Sequence, residues 1–332
     1  MIRILAKRLV SMVLVIIVLT AVVFGLQQLS HTNPVHAYLG ANASPSAIAH
    51  ESKILGYDKP IVVQYLTYVG HLFQGNFGVS LRTRRPVGTD LSTYLPATLE
   101  LTIASLIVAL VLGALLGLAA TGRWKGAGVF RVVLVAGASI PSFLLGLVLV
   151  LLLSDKVHLF PAIGDSGYTN APTGPTGVVI IDTLVHGQFA EFVDALHHLV
   201  LPVLCVALGP AVSIGRVLRG SLESSMGADF VRTARAKGLD ERVVLFRHAL
   251  RNSLSAALSM TGLQVGLMFA GVVVVETVFA WPGIGLYTDQ SIPPADFPAI
   301  AGVTVVLGIG YVVINTIVDL LQAVVDPRIV AE

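Results

Sequence analysis

Ser139 and Ser142 flank Pro141 inside an apolar stretch, and Cys205 stands alone in another; these are the first side chains to test for nucleophilic chemistry. A serine nucleophile needs a histidine to take its proton. No GxSxG pattern surrounds either serine, and no histidine lies well inside an apolar stretch. His197 and His198 sit at the edge of one, which suits an interfacial role better than metal ligation. An acid-pair mechanism would want two carboxyls at one depth, but Glu100, Glu276 and Asp319 all fall near the ends of such stretches. One cysteine excludes an intrachain disulfide and any cysteine-cluster metal site. It reads as a small buried apolar residue. No GxxxxGK[ST] phosphate loop is present. The polar residues that do lie deep in apolar sequence are neutral: Ser105, Ser139, Ser213, Thr261, Gln264, Thr304 and Asn315. They suit a transiently wet path, or hydrogen bonds between helices. The residues therefore point away from catalysis and away from bound metal or cofactor.

The elements that must position them are membrane helices. Of the 332 residues 55% are hydrophobic and 12% charged, about half the charge of an ordinary soluble domain. The net charge of +2 gives no reason to expect a nucleic-acid partner. Six stretches are long and apolar enough to cross a bilayer, roughly Leu9–Leu29, Thr98–Thr121, Val132–Leu153, Leu199–Leu218, Leu254–Val275 and Ala299–Val324. The first follows Arg3, Lys7 and Arg8, but its apolar core is long for a signal peptide, so a retained helix is expected. With six spans both termini share one side, and that side carries fifteen of the basic residues against six on the other. The excess makes both termini cytoplasmic. The layout expected is a tail and first span over 1–30, a small folded extracytoplasmic element over 31–97, a five-helix core over 98–325, and a cytoplasmic tail over 326–332. Within the element, Pro60–Phe73 has helical apolar spacing. The second outer loop, about 154–197, is rich in Gly, Pro and Thr and is expected to be largely irregular. In the third, Trp281 suits the headgroup level. Gly113 with Gly117, and Gly262 with Gly266, put small residues on one helix face for close packing.

One internal segment breaks the pattern. Residues 229–252, DFVRTARAKGLDERVVLFRHALRN, are basic and helical between two apolar spans. Asp229 is expected to N-cap a short helix, with Phe230, Val231 and Ala234 on its apolar side and Arg235 and Lys237 in its last turn. Gly238 reads as a left-handed C-terminal residue. Asp240 then caps a second helix, with Leu239 and Val244 spaced as a hydrophobic staple. Val243, Val244, Phe246 and Leu250 form an apolar stripe. A loop that only set topology would need the arginines, but not the caps, the staple or the stripe.

This segment resembles the EAA loop of ABC-importer permeases, in the form found in the dipeptide/oligopeptide/nickel family. Other patterns match in order: Leu55-Gly56-Tyr57-Asp58-Lys59-Pro60 with Gln64-Tyr65, Asn76-Phe77-Gly78-Val79-Ser80, Leu95 to Leu101, Arg232 to Gly238, His248 to Asn252, Glu276 to Gly285, and Asp326-Pro327-Arg328. Together they cover almost the whole chain. The chain departs from the family pattern at Leu29 to Pro34, at Leu286-Tyr287 and at Ala295 to Pro298.

The resemblance implies an all-α, six-span permease of the type I importer fold in a bacterial or archaeal cytoplasmic membrane. It implies that Asp229, Phe230, Val231, Arg232, Ala234, Arg235, Lys237 and Gly238, within a loop at about 219–253, form a coupling helix docked on a cytoplasmic ATPase. It further implies two ATP-binding subunits or domains, a second homologous permease and an extracytoplasmic substrate-binding protein. No internal repeat is visible, so one chain supplies half of the pathway, with Ser139, Ser213, Thr261, Gln264 and Asn315 as its candidate lining. Short peptides are the expected cargo. Nickel or a nickel chelate is the alternative, although Cys205 stands alone and Met260 and Met268 are two helical turns apart. A rival of another class is an ATP-independent secondary transporter. Such proteins commonly carry ionisable residues near the midplane, where this chain has neutral ones.

Overall fold

In a computed structural model, residues 2–29, 39, 44–54, 56–122, 124–137, 140–167 and 174–325 are described. The order is α1 Ile2–Leu29, α2 Pro45–Ile54, α3 Ile61–Phe73, α4 Val87–Thr121, α5 Ala127–Ala136 and α6 Ser142–Leu149, which runs into a π-helical turn at Val150–Lys156. Then come α7 Val179–Val185, α8 Phe189–Met226 and α9 Asp229–Ala236. α10 is a continuous helix over Glu241–Val278, π-wound at Val244–Ala249. α11 Ile284–Ser291 and α12 Phe297–Val325 close the chain. Among the described residues there is no strand, only an isolated bridge between Val79 and Pro86.

Five helices are long and apolar enough to cross a membrane: Leu9–Leu29, Val87–Thr121, Phe189–Met226, Glu241–Val278 and Phe297–Leu320. The expected span at Val132–Leu153 is not one helix. It is divided between α5 and α6, because Pro141 is extended at φ −61°, ψ 136°. Proline lacks an N–H and disfavours helical geometry in the residue before it. In contrast, Pro96, Pro202 and Pro210 lie inside helices, which apolar neighbours and local adjustments tolerate. α8 begins ten residues before Leu199, the expected start of that span. The segment at about 154–197 is also less irregular than expected. Its apolar run at 178–181 folds into α7, and Asp182 accepts hydrogen bonds from Thr176 Oγ1 at 2.8 Å and the Gly177 amide at 2.9 Å.

The chain divides into two compact units. Among the described residues, one comprises 96–282 with 313–325. Its core joins Leu101, Leu201, Val203, Cys205, Met268, Val272, Phe279 and Trp281. Trp281 is 1% exposed and donates from Nε1 to the Ala97 carbonyl at 3.0 Å. It is a core residue of this unit, its ring covered by protein. Thr98 Oγ1 donates to the buried Glu276 carboxylate at 2.6 Å. The glycine faces are used as expected at α4: a methyl on Gly117 would lie 2.8 Å from the Gly215 carbonyl oxygen, and one on Gly113 2.9 Å from that of Ala211. A methyl on Gly262 would meet Val318 at 3.1 Å.

The other unit comprises Ile2–Leu95 with Gly283–Val312. Val87, Leu91, Ile284, Tyr287, Ala299 and Val303 form its core. Two buried carboxylates accept hydrogen bonds, and Asp90 Oδ1 faces the Arg85 guanidinium at 3.4 Å. Asp296 accepts from Ser80 Oγ at 2.5 Å and the Arg82 amide at 3.1 Å. Asp90 accepts from Thr83 Oγ1 at 2.5 Å and Tyr287 Oη at 3.0 Å.

Candidate functional site

The basic segment forms a knob on the first unit. α8 continues to Met226 before stopping, so it is about 57 Å long against a hydrocarbon core of about 30 Å. Ala228 then turns extended, at φ −75°, ψ 157°, and occupies the N-cap position of α9. Asp229 is therefore the first residue of the helix and not its cap. Its carboxylate still meets the positive helix end and accepts from Arg232 Nη1 at 3.2 Å.

The C-terminus of α9 closes as expected at Gly238, with φ +74°. The Gly238 amide donates to the Arg235 carbonyl at 2.9 Å, and the Leu239 amide reaches back to Ala234 at 3.3 Å. Those two bonds are the Schellman pattern, which satisfies carbonyls left over at the helix end. Asp240 follows in extended conformation at the N-cap of α10, without a side-chain capping bond. Across the turn, Arg235 donates to both carboxylate oxygens of Glu241, at 2.6 and 3.1 Å. This fork ties α9 to α10.

The knob has its own small core. Val231 and Val244 are both 0% exposed and Ala234 is 5% exposed, with Met226 packed against them. Val231 and Ala234 were expected as docking contacts. Their burial makes them the internal cement of the knob instead, because the second helix covers that face. Phe230, at 41% exposed, remains outward, as do Arg232 and Lys237. Phe246, Leu239 and Val243 extend the exposed apolar surface. Leu239 is thus outward while Val244 is buried, so the expected staple does not bury both residues.

The knob is fastened to the long helices below it. Leu218 and Leu222 of α8 pack with Ala249 and Ala257 of α10. Beside them the buried hydroxyls of Ser225 and Ser253 pair at 3.1 Å. Sequence reasoning missed Glu241, Ser225 and Ser253. Glu241 follows Arg235 by six residues, outside helical spacing, and the serines lie on different helices.

A cavity of about 470 Å³ opens in the same unit, between α5, α6, α8 and α10. Its walls are mainly aliphatic and glycine, with Ser142, Cys205, Ser213 and Gln264 as polar or polarisable groups. Of the expected lining residues, Ser213 and Gln264 meet here. Thr261 does not; its hydroxyl bonds the Ala257 carbonyl of its own helix at 2.9 Å. Asn315 lies beside Gly262 instead, and Ser139 falls outside the described residues. The lining residues are all uncharged, and no histidine is among them. Such a surface offers exchangeable hydrogen bonds to a neutral polar chain.

Comparison with known proteins identifies the family. Residues 93–331 match the family described as binding-protein-dependent transport system inner membrane component, and residues 1–102 match the N-terminal family of the same membrane components. The chain is 36% identical over 327 residues to the dipeptide transport system permease protein DppB of Alkalihalophilus pseudofirmus, covering 97% of this chain and 98% of that one. It is 37% identical to the probable D,D-dipeptide transport system permease protein DdpB of Escherichia coli K12, covering 98% and 97%. It is 38% identical to the di/tripeptide transport system permease protein DppB of Pseudomonas aeruginosa, covering 99% of each. With its long apolar helices and its protruding basic knob, the chain belongs to the family of binding-protein-dependent transport system inner membrane components.

Proposed function

We propose that this chain is one of two homologous permease subunits in an ATP-driven importer of short peptides. The observation that carries this reading is similarity along the whole chain to permeases named for di- and tripeptide transport. The uncharged cavity supports it: Ser213 and Gln264 supply hydrogen bonds, and the glycines leave room for varied side chains. In this reading the second permease completes the pathway. An extracytoplasmic binding protein delivers the peptide, and two ATP-binding subunits or domains supply the energy.

The knob is the coupling element. Phe230, Arg232 and Lys237 meet the ATPase, while Asp229, Val231, Ala234, Arg235 and Gly238 hold the docking helix in place. Because α8 and α10 run without a break from the knob into the spans, closure of the ATPases moves them as rigid bodies.

Uptake by the reconstituted importer with its own binding protein tests the cargo. Mutual competition among unrelated short peptides is expected. Saturable nickel uptake that peptides do not inhibit would overturn the peptide reading, and uptake without ATP would overturn the class.

The proposed topology has six spans, with α5 and α6 together making the third, and both termini in the cytoplasm. In a Cys205→Ala background, single cysteines at the exposed positions Lys59 and Lys156 are expected to react with an impermeant thiol reagent in intact cells. Cysteines at Lys125 and Asp240 are expected to stay unlabelled until the cells are opened. Labelling of Asp240→Cys from outside would remove the coupling role together with the topology.

A further inference from the structure

We infer that α3, Ile61–Phe73, is an interfacial membrane helix whose uncovered face rests on lipid acyl chains beside α1. Three stripes run along it. Ile61, Tyr65, Tyr68 and Leu72 share one side, Val62, Leu66, Val69 and Phe73 a second, and Gln64, Thr67, His71 and Gln74 a third, roughly opposite the second.

The first stripe packs on α1. The Tyr65 ring lies 5.5 Å from that of Phe24, and the Tyr68 ring 6.0 Å from it. Tyr65 Oη donates to the Ile17 carbonyl at 2.9 Å and pairs with Thr20 Oγ1 at 3.1 Å. Both partners of this phenol are on α1.

Among the described residues, most of the second stripe is uncovered. Val62, Leu66 and Phe73 are 69%, 63% and 66% exposed. α1 also has an exposed stripe, Leu14, Val18, Val22 and Leu26, in the middle of a helix built to cross the membrane. The two uncovered apolar faces belong to one compact unit, and a bilayer that surrounds α1 meets α3 as well.

Polar residues hold the helix at the boundary instead of letting it insert. Asp58 and Lys59 precede it and Gln74 and Asn76 follow it, so both ends stay at the headgroups. Its polar stripe faces away from the hydrocarbon. A helix of this kind lies in the interface plane with its apolar side about 5–10 Å into the acyl boundary.

The test uses the assembled importer in lipid nanodiscs, with nitroxide labels at Val62→Cys, Leu66→Cys or Thr67→Cys in a Cys205→Ala background. Power saturation compares collisions with oxygen, which concentrates in lipid, and with a water-soluble nickel chelate. Oxygen is expected to dominate several-fold at Val62 and Leu66, and the chelate at Thr67. Dominance of the chelate at all three places the helix in water and overturns the inference. Exclusion of both reagents from Val62 and Leu66 means that a protein subunit covers the face, which also overturns it. A second measurement needs no substitution: phospholipids carrying a photoreactive group on the acyl chain are expected to label residues 61–73 as well as α1. Labelling of α1 without α3 would sink the idea.

Discussion

Gly238→Val is expected to abolish most transport while the protein stays in the membrane. Gly238 sits at φ +74°, and a side chain added there meets nothing within 4 Å. The defect is therefore one of backbone conformation and not of collision. A β-branched residue in the left-handed region costs about 1–3 kcal/mol, on the order of a 5- to 150-fold loss in the population of the native turn. The Schellman bonds to Arg235 and Ala234 open, and α9 loses its angle to α10. The spans, which insert by their own hydrophobicity, are untouched. Gly238→Asn is expected to keep much of the activity, because asparagine visits this region more readily. Peptide uptake and stimulated ATP hydrolysis, measured at matched membrane levels, check both variants. Near-normal coupling in Gly238→Val would show that the turn does not transmit force.

The second large effect belongs to the helix interface in the bilayer. Gly117→Leu is expected to leave little folded protein. Even the first carbon of the new side chain would fall 2.8 Å from the Gly215 carbonyl oxygen and 3.2 Å from Leu218. The nearest atom is backbone, so no rotamer change relieves it and α4 must move off α8. Overpacking of this sort costs about 1–3 kcal/mol and at times more. Gly117→Ala should be milder but still destabilising. The control is Gly220→Ala, in α8, where nothing lies within 4 Å. There alanine should be neutral or stabilising by about 0.5–1 kcal/mol, through helix propensity alone. Thermal stability of the detergent-solubilised protein, followed by size-exclusion chromatography, separates the three. Equal stability of Gly117→Leu and Gly220→Ala would contradict the packing described.

The two glycines also show which parts of this molecule were legible in one dimension. Gly238 was readable because a Schellman turn is local. Its donors, acceptors and capping residues all lie within six positions, and chain stereochemistry decides the rest. Gly113 and Gly117 were readable as a face, although nothing in their spacing named Ala211 and Gly215 as the surface they meet. The breaks were harder to foresee. Pro96, Pro202 and Pro210 pass through helices, while Pro141 stands extended at the N-cap of α6. What differs is whether packing and membrane surroundings compensate the lost hydrogen bond.

The sequence by itself determined the membrane class, the long apolar helices, the closed turn of the knob and the family resemblance. The first three rest on composition, periodicity or stereochemistry within a few residues, and the resemblance on motifs matched in order along the chain. The tertiary structure decided the rest. It buried Val231 and Ala234 under Val244, leaving Phe230 to face outward. It drew Trp281 into the core, joined Arg235 to Glu241, and brought Ser213 and Gln264 to one cavity while leaving Thr261 bonded within its own helix. An amphipathic pattern identifies the apolar side of a helix but not what will cover it. In a chain that is 55% hydrophobic, nearly every surface is a plausible contact, and only the packing of whole helices chooses among them.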